Sequence, residues 1–295
     1  MVRYSVIIPH YNIPDLLMRC LDSIPERDDI QVIVVDDHSP GGDALKDKYP
    51  RLGREGLTFF RAPRNGGIGY ARNLAIPYAT GTWIMFCDAD DSFTPDAFAI
   101  MDGFAGSDAQ IVYFRPRTVV DGDWTPAPGR FWLSELYDNF SKSGNEKSIR
   151  AYHVPAWSKM FRREWLLSTG HTFEEVRFSE DAIFSIMTGY EASKVVVCEQ
   201  EVYEYHLRKG SISAAPSSGL AFERARVAMR SQKLLMEKYS YLYEDAYNSL
   251  VDLFRLDRKG FWKLFRTVPE HGMSRTKVLR KLFHLILSWL KSFFK

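Results

Sequence analysis

Cysteine is scarce in this sequence. The 295 residues include three, Cys20, Cys87 and Cys198, which lie far apart in apolar surroundings. An odd number of widely spaced cysteines argues against a disulfide framework and is typical of buried thiols in a reducing compartment. We therefore expect a cytoplasmic protein.

Long apolar runs, leader-like segments and repeats are also missing. No uninterrupted apolar stretch reaches the ~18 residues of a membrane span, and Met1 leads almost directly into a strand-like pattern, so we expect no signal peptide. Nothing repeats with the period of roughly 20 to 50 residues that marks a solenoid. With 45% hydrophobic and 26% charged residues, the composition is that of an ordinary globular protein.

Acidic residues are absent from the last part of the chain. Residues 274–295 contain six Lys or Arg and no acid, and from Lys277 the polar residues recur at helical spacing, which predicts a basic amphipathic helix. Such a helix can lie in the interface of an anionic membrane. The alternative is a helix packed on the domain or in a dimer, and we expect membrane association on the cytoplasmic face.

Short apolar runs alternate with helical patterns through the first part of the chain, which is typical of an α/β sheet. The predicted strands are 5–9, 31–35, 57–60, 83–87 and 109–114. The predicted helices are 15–24, 43–49, 67–78 and 94–103, the last with Thr94 as its cap. Because ligands bind outside the carboxyl ends of parallel strands, polar residues there are candidates for a functional site.

The second half of the chain is less regular. Residues 121–150 have little periodicity, which predicts loops with at most a hairpin that could shape an acceptor pocket. A mixed region extends to Ser213, and two long helical patterns follow at 218–238 and 241–265. We therefore expect a helical C-terminal extension.

Three carboxylates, those of Asp88, Asp90 and Asp91, follow a predicted strand. Such oxygen ligands can hold Mg²⁺ or Mn²⁺ while phosphate oxygens complete the coordination shell. The alternative is a turn in which these aspartates cap the next helix.

Three other residues suit a nucleotide. Asp37 could accept hydrogen bonds from a base or ribose, Tyr11 could stack on a base, and the Arg72 guanidinium could bind a phosphate, although each is individually compatible with a structural role. The stretch 67–72 superficially matches a dinucleotide fingerprint, but Arg72 stands where the third glycine belongs. We therefore reject a nicotinamide enzyme.

Four segments taken together, at 5–12, 35–39, 65–73 and 86–91, resemble the inverting family 2 glycosyltransferases in order and spacing. The resemblance covers about the first 215 residues. It implies a GT-A fold, a Rossmann-like mixed α/β sheet flanked by helices, and a nucleotide-diphospho-sugar donor.

The resemblance also assigns roles to individual residues. The residues that it places at the nucleotide are Pro9, Tyr11, Asp36, Asp37, Arg72 and Asp88. It gives the binding of Mn²⁺ or Mg²⁺ to Asp90 together with Asp88. These residues would hold the donor and neutralise its diphosphate.

Further along the chain, 157–163 is similar to the family's segment before the acceptor site, and 178–184 resembles its Glu-Asp motif. By this resemblance Asp181 is the general base, whereas the alternative for Glu180 and Asp181 is an acid pair in the first turn of a helix. Candidate contacts to the diphosphate or acceptor are Lys159, Glu180 and Arg208. The sequence departs from the family at Ser158, where asparagine is usual, and at His206, where arginine is frequent.

Three regions are expected: a GT-A domain at 1–215, a helical extension at 216–273 and a basic tail helix at 274–295. The predicted reaction transfers a sugar, most simply from a UDP-sugar, to a glycan or lipid-linked acceptor with inversion, in surface polysaccharide synthesis and without a nucleic-acid partner. The alternatives are a non-catalytic membrane-associated scaffold with the same fold and a sugar nucleotidyltransferase. The second lacks the expected glycine-rich, basic loop after Pro9.

Overall fold

The computed structural model describes residues 1–122, 124–127, 131–208, 218–241 and 244–292. Its strands are β1 Tyr4–His10, β2 Ile30–Asp36, β3 Leu57–Arg61, β4 Trp83–Phe86, β5 Ser92–Phe93, β6 Ile111–Val120, β7 Lys159–Arg162 and β8 Val195–Leu207. Its helices are α1 Pro14–Asp22, α2 Leu45–Lys48, α3 Ile68–Ala75, α4 Ala97–Asp102, α5 Phe131–Ser143, α6 Lys147–Tyr152, α7 Arg163–Thr169, α8 Ala182–Glu191, α9 Ser218–Tyr239, α10 Glu244–Leu256, α11 Arg258–Phe265 and α12 Arg275–Ser292.

The strands form one mixed sheet in the order β3-β2-β1-β4-β7-β6-β8-β5. Strands β3, β2, β1 and β4 are parallel to one another, as the sequence predicts, so their carboxyl ends lie at one edge. Strand β7 is antiparallel to both β4 and β6. The polar residues after β1, β2 and β4 are therefore brought together.

Helices cover both faces of the sheet. Along β1, Val6 and Ile8 belong to one apolar core, and Ile7 belongs to the core on the opposite face. All seven residues of this strand are buried. Burial on both faces explains why the parallel strands are continuous apolar runs rather than alternating patterns.

Several predicted elements are wrong in extent or type. The region 121–150, predicted as loops, contains the 13-residue helix α5 and the shorter α6. Helix α4 begins at Ala97 after Asp96, not at a Thr94 cap. Strand β8 escaped prediction because it carries charged residues along its exposed part and its pairing with β6 shifts register near Arg115.

The helices after β8 have an apolar core of their own, formed by α9 to α12. Helix α9 also packs on the sheet domain, where Leu235 joins Ile186 of α8 and Arg230 binds both carboxylate oxygens of Glu174 at 2.6 and 2.8 Å. The helix predicted over 241–265 is divided at Asp257, which caps α11. The predicted boundary at 215 lies outside the described residues.

The tail helix α12 does form, but its first half is packed rather than free. Val278 and Leu282 are buried in the helical core, while Leu279 and Phe283 are exposed. Lys277 and Lys281 both contact Glu244 of α10. Part of the basic face is therefore engaged within the chain, as in the alternative of a helix packed on the domain. No helix in the described residues is long and apolar enough to cross a membrane.

Candidate active site

The end of β2 places two aspartates in different surroundings. Asp36 is fully buried, and its carboxylate contacts the His10 ring at 2.9 Å and accepts hydrogen bonds from the backbone and hydroxyl of Ser39. Its pKa is lowered by these bonds, which outweigh the opposing effect of burial. In this arrangement Asp36 fixes the loop after β2 and presents no surface to a nucleotide.

Asp37 fastens the glycine-rich turn before α3 to the strand end. Its two carboxylate oxygens accept hydrogen bonds from the backbone N–H groups of Gly66 and Gly67, both at 2.8 Å. Gly67 has a φ of 88°, a left-handed conformation that favours glycine. Burial raises the pKa of Asp37. Asp37, a predicted nucleotide contact, therefore also has a structural role, because it holds the turn before α3.

Tyr11 and Pro9 differ in accessibility. Pro9 lies within the buried strand β1, whereas Tyr11 directly after it is 48% exposed. An exposed aromatic ring at the carboxyl end of the sheet is available to stack on a flat base. Of these two predicted nucleotide contacts, the side chain of Tyr11 is the one that solvent reaches.

Arg72 connects two parts of the site. It is 1% exposed, and its guanidinium donates to Asp88 at 2.6 Å and to Glu180 at 2.7 Å. The sequence predicts a phosphate contact here, but the structure places this guanidinium in a buried ion-pair network. Gly69 allows the close approach, since a Cβ there would lie 2.1 Å from the carbonyl oxygen of Glu174. Arg72 thus holds α3, the end of β4 and the Glu-Asp motif together.

Burial and mutual repulsion perturb the acids around Arg72. Burial raises the pKa of Glu180 to about 7, assisted by the nearby Asp181 charge and opposed by Arg72. Burial also raises the pKa of Asp88, again against the effect of Arg72. The pKa of Arg72 itself is raised because the surrounding carboxylates outweigh its burial. Carboxyl groups with perturbed pKa values in a cleft are typical of a functional site.

The Asp88 to Asp91 turn separates its acids by role. Asp91 is buried and accepts hydrogen bonds from the Tyr203 hydroxyl at 2.7 Å and the His206 backbone at 2.9 Å, so it supports the turn. Asp88 and Asp90 are each one-quarter exposed, and Asp90 pairs with Arg208 at 2.8 Å. The prediction that Arg208 approaches the diphosphate site is consistent with this position.

A metal must find further ligands beyond these two aspartates. Among the described residues, no group of three His, Cys, Asp or Glu side chains is arranged to hold an ion. Two partly exposed carboxylates on one turn nonetheless fit Mg²⁺ or Mn²⁺, which prefer oxygen and are commonly shared with substrate phosphates. The residues present therefore fit a metal whose coordination is completed by a diphosphate.

Asp181 stands immediately before α8, at its N-cap position. Its side chain makes no cap hydrogen bond to the helix, and one carboxylate oxygen instead accepts from the backbone N–H of Ala156 at 3.2 Å. The carboxylate is partly exposed. The neighbouring loop contacts this carboxylate, while the place of Asp181 at the N-terminus of α8 also agrees with the alternative, an acid pair at the start of a helix.

Lys159, a predicted contact to the diphosphate or acceptor, is buried. It is 3% exposed, and its ammonium donates to the His153 carbonyl at 2.6 Å and the Ser185 hydroxyl at 3.1 Å. Burial lowers its pKa to about 7. Lys159 therefore braces α8 from within the core and reaches no diphosphate in this arrangement.

The two departures from the family pattern, Ser158 and His206, are both buried. Ser158 has a φ of 59°, a conformation in which asparagine is favoured among non-glycine residues. His206 is buried, and its ring contacts the Ser92 hydroxyl at 2.9 Å. Burial lowers its pKa. The neighbouring 209–213 part of this segment lies outside the described residues.

A cleft of about 560 Å³ opens beside Asp88, Glu180 and Asp181. Aromatic and apolar side chains of α5 and the adjoining loops line it, and residues of α9 and α10 also contribute to its wall. The residues of the cleft that sequence reasoning missed include Trp132, Glu135, Tyr152, Arg177, Arg224, Glu244 and Asp245. Arg177 lies in a loop, and the others lie on helices, where an amphipathic pattern does not specify what the helix faces.

Comparison with known proteins places the chain among glycosyltransferases. It is 26% identical over 223 residues to the uncharacterized glycosyltransferase EpsJ of Bacillus subtilis, covering 72% of this chain and 63% of EpsJ. It is 24% identical over 216 residues to the poly(ribitol-phosphate) beta-N-acetylglucosaminyltransferase TarS of Staphylococcus aureus, covering 71% of this chain and 36% of TarS. The chain thus spans less than two thirds of these relatives.

Solved structures show the same fold. S. aureus TarS in complex with UDP-GlcNAc superposes with a TM-score of 0.64 at 19% identity, over 99% of this chain and 92% of that one. The mannosyltransferase PcManGT from Pyrobaculum calidifontis, in complex with GDP-Man and Mn²⁺, gives a TM-score of 0.58 at 19% identity, over 97% and 80%. The fold is GT-A, as predicted.

The family model described as Glycosyl transferase family 2 matches residues 5–169, more than half of the chain. That range contains the strand ends from which the site is built. The chain therefore belongs to glycosyl transferase family 2.

Proposed function

We propose that this protein transfers a sugar from a nucleotide-diphospho-sugar to an acceptor hydroxyl with inversion. The observation that carries the proposal is the convergence of Asp88, Arg72, Glu180 and Asp181 at one end of a cleft. An acid pair beside a candidate metal turn supplies what this transfer requires: charge neutralisation for the leaving group and a base for the attacking hydroxyl.

In the proposed mechanism the nucleoside lies at the ends of β1 and β2, with Tyr11 stacked on the base. Asp88 and Asp90 would hold Mn²⁺ or Mg²⁺, which supplies neutralisation of the departing diphosphate when bound. Asp181 takes the proton of the acceptor hydroxyl as its oxygen attacks the anomeric carbon from the side opposite the diphosphate. The bond to the diphosphate breaks as the new glycosidic bond forms, so no covalent enzyme intermediate is required.

The donor that we propose is UDP-linked, and the process is surface polysaccharide synthesis. TarS, which shares the fold, is bound to UDP-GlcNAc in its structure and is named as acting on a poly(ribitol-phosphate). The acceptor class is a glycan or lipid-linked glycan, and no nucleic acid is involved.

Isothermal titration with UDP, GDP and a panel of their sugars, with and without Mn²⁺, tests the donor. Binding of none of them would favour a non-catalytic scaffold.

Replacing Asp90 with alanine should weaken metal-dependent donor binding and reduce transfer by at least tenfold, because one of two candidate metal ligands is removed. The measurement is donor affinity by titration with and without Mn²⁺. The matched control is Asp47→Ala, an exposed acid on α2 away from the sheet edge. An unchanged metal dependence in Asp90→Ala would refute its assigned role.

We also propose that the exposed face of α12 binds the cytoplasmic face of a membrane. Leu279 and Phe283 project from it beside basic residues, whereas Val278 and Leu282 hold the helix on the domain. Replacing Leu279 and Phe283 with serine should reduce sedimentation with vesicles containing anionic lipid severalfold while leaving the fold intact. Equal sedimentation of the variant and the unchanged protein would contradict the proposal.

A further inference from the structure

Part of the cleft beside Asp181 is lined by helices outside the range that the family model matches. That range ends at residue 169, whereas Arg224 lies on α9 and Asp245 on α10. Both line the same cleft as Asp88 and Asp181. The helical extension is therefore part of the cleft wall and not only a support for the sheet domain.

Contacts connect the part of the cleft wall on α9 and α10 to the loop that precedes the candidate base, Asp181. The Arg224 guanidinium lies over the Phe178 ring, 5.3 Å from its centroid, and Phe178 is three residues before Asp181. On its other side Arg224 approaches Asp245, with 3.7 Å between Nη2 and Oδ1. A ligand that reaches from Asp181 along the cleft therefore meets Arg224 and Asp245.

The Arg224–Asp245 pair contributes little to stability. Its side chains are 44% and 37% exposed, and ion pairs of this exposure are screened by water and typically stabilise a fold by less than about 1 kcal/mol. Both groups keep hydrogen-bonding capacity that faces the cleft. Their placement is thus better explained by what enters the cleft than by a need of the fold.

The charge of the wall selects among ligand classes. The wall carries the cations Arg177 and Arg224 and the carboxylates of Glu135 and Asp245. The charge of Glu244 is compensated by Lys277 and Lys281 of α12. Such a wall has no net preference for an anion or a cation. The arginine side chains donate hydrogen bonds and the carboxylates accept them, which matches the hydroxyl groups of a neutral sugar. The aromatic side chains of Trp132 and Tyr152 in the same cleft match the apolar faces of the sugar.

We propose that α9 and α10 form an acceptor subsite for a neutral saccharide, in which Arg224 and Asp245 hydrogen-bond sugar hydroxyls beyond the attacking one. The cleft volume of about 560 Å³ falls within the range of small-ligand sites, roughly 300 to 1,000 Å³. The inference rests on the proposed function, since it takes the cleft beside Asp181 as the acceptor side. It gives the extension a share in acceptor choice, together with α5, α6 and the adjoining loops.

The test measures saccharide binding by saturation-transfer NMR on the full chain, with UDP and Mn²⁺ present. The probes are methyl glycosides and disaccharides of neutral hexoses, and glycerol phosphate serves as an anionic probe. We expect the neutral probes to bind, and Arg224→Ala and Asp245→Asn each to weaken binding about ten- to hundredfold, the size of effect expected on losing hydrogen bonds to a charged group. UDP affinity and the unfolding temperature should not change.

A charge-swapped double variant, Arg224→Asp with Asp245→Arg, separates binding from a structural role. The swap restores an ion pair but not the arrangement that faces the ligand, so saccharide binding should stay weak. Lys233→Ala, which removes an exposed pair with Glu237 elsewhere on α9, is the matched control and should bind normally. Recovery of binding in the swap, unchanged binding in both single variants, failure of all neutral probes to bind, or preference for glycerol phosphate would each overturn the proposal. If the unchanged protein does not bind UDP, the proposed function is refuted instead.

Discussion

Asp181→Asn should lower the turnover number for sugar transfer by about a hundred- to ten-thousandfold, the range for a lost general base. Asparagine keeps the size of the side chain and can still accept the Ala156 hydrogen bond through its carbonyl oxygen, so the loop and helix α8 should remain in place. What it cannot do is take a proton from the acceptor. Donor affinity, measured by titration with Mn²⁺, should therefore remain within a few-fold of the unchanged protein.

The matched control for this experiment is Glu191→Gln at the other end of α8. Glu191 is partly exposed and pairs with His171, away from the cleft. Its substitution removes a carboxylate from the same helix without touching the candidate site, and it should leave transfer unchanged. Transfer by Asp181→Asn at more than a tenth of the original rate would require another base. Equal losses in both variants would indicate a general effect on α8.

Arg72→Met should destabilise the folded protein by about 3 to 5 kcal/mol, the effect of removing one partner from a buried ion pair. Methionine roughly preserves the apolar stem but leaves Glu180 and Asp88 without their shared cation. A loss of 1 kcal/mol lowers the unfolding temperature by about 2 to 4 °C in a chain of 150–250 residues. The unfolding temperature of Arg72→Met should therefore be lower by roughly 10 °C. Calorimetric unfolding at neutral pH measures the change.

Arg64→Met provides the control for this loss. The Arg64–Glu175 pair has a separation of 2.5 Å, but both side chains are about half exposed. Exposed pairs of this kind typically contribute less than about 1 kcal/mol. If the two variants lose similar stability, the network around Arg72 is not the stabilising element that its burial indicates.

The loss of folding stability in Arg72→Met should also depend on pH. The pKa of Glu180 is already about 7 in the folded protein because of its burial, above the value of about 4.3 for an unfolded glutamate. Removing the guanidinium, which lowers this pKa, should raise it further. A folded-state pKa above the unfolded value favours folding at low pH and loses that contribution as pH rises. Below about pH 7 both proteins lose this contribution alike as pH rises, so the difference in stability should grow only above about pH 7, up to the higher pKa of Glu180 in the variant. A difference that stays constant from about pH 6 to pH 9 would contradict this account.

Much of the sheet edge could be predicted from local sequence. Continuous apolar runs such as Val32 to Val35 are typical of parallel strands buried on both faces, and the polar residues that follow them must meet at one edge. The gathering of Tyr11, Asp37 and Asp88 needs only strand order and direction. For the same reason, the resemblance of these short local motifs was enough to predict the family and the fold.

The partners of individual side chains could not be predicted in this way. Arg72 and Glu180 are separated by 108 residues in the chain, and nothing near Arg72 in sequence distinguishes a buried bridge from a phosphate contact. Lys159 shows the same limit, since its burial against Ser185 depends on how α8 packs. The pKa values of Glu180 and Lys159, both about 7, follow from this burial and not from residue type.

The sequence by itself determined the class of fold, the family and the set of acids from which the site is made, because these depend on the order of apolar runs and short motifs. Only the tertiary structure decided which acids face solvent, that Asp36 and Lys159 lie within the fold, and that α9 and α10 line the cleft. The physical reason is that burial and ion pairing are set by contacts between distant segments. An amphipathic helix pattern predicts that one face is buried but does not name what it is buried against.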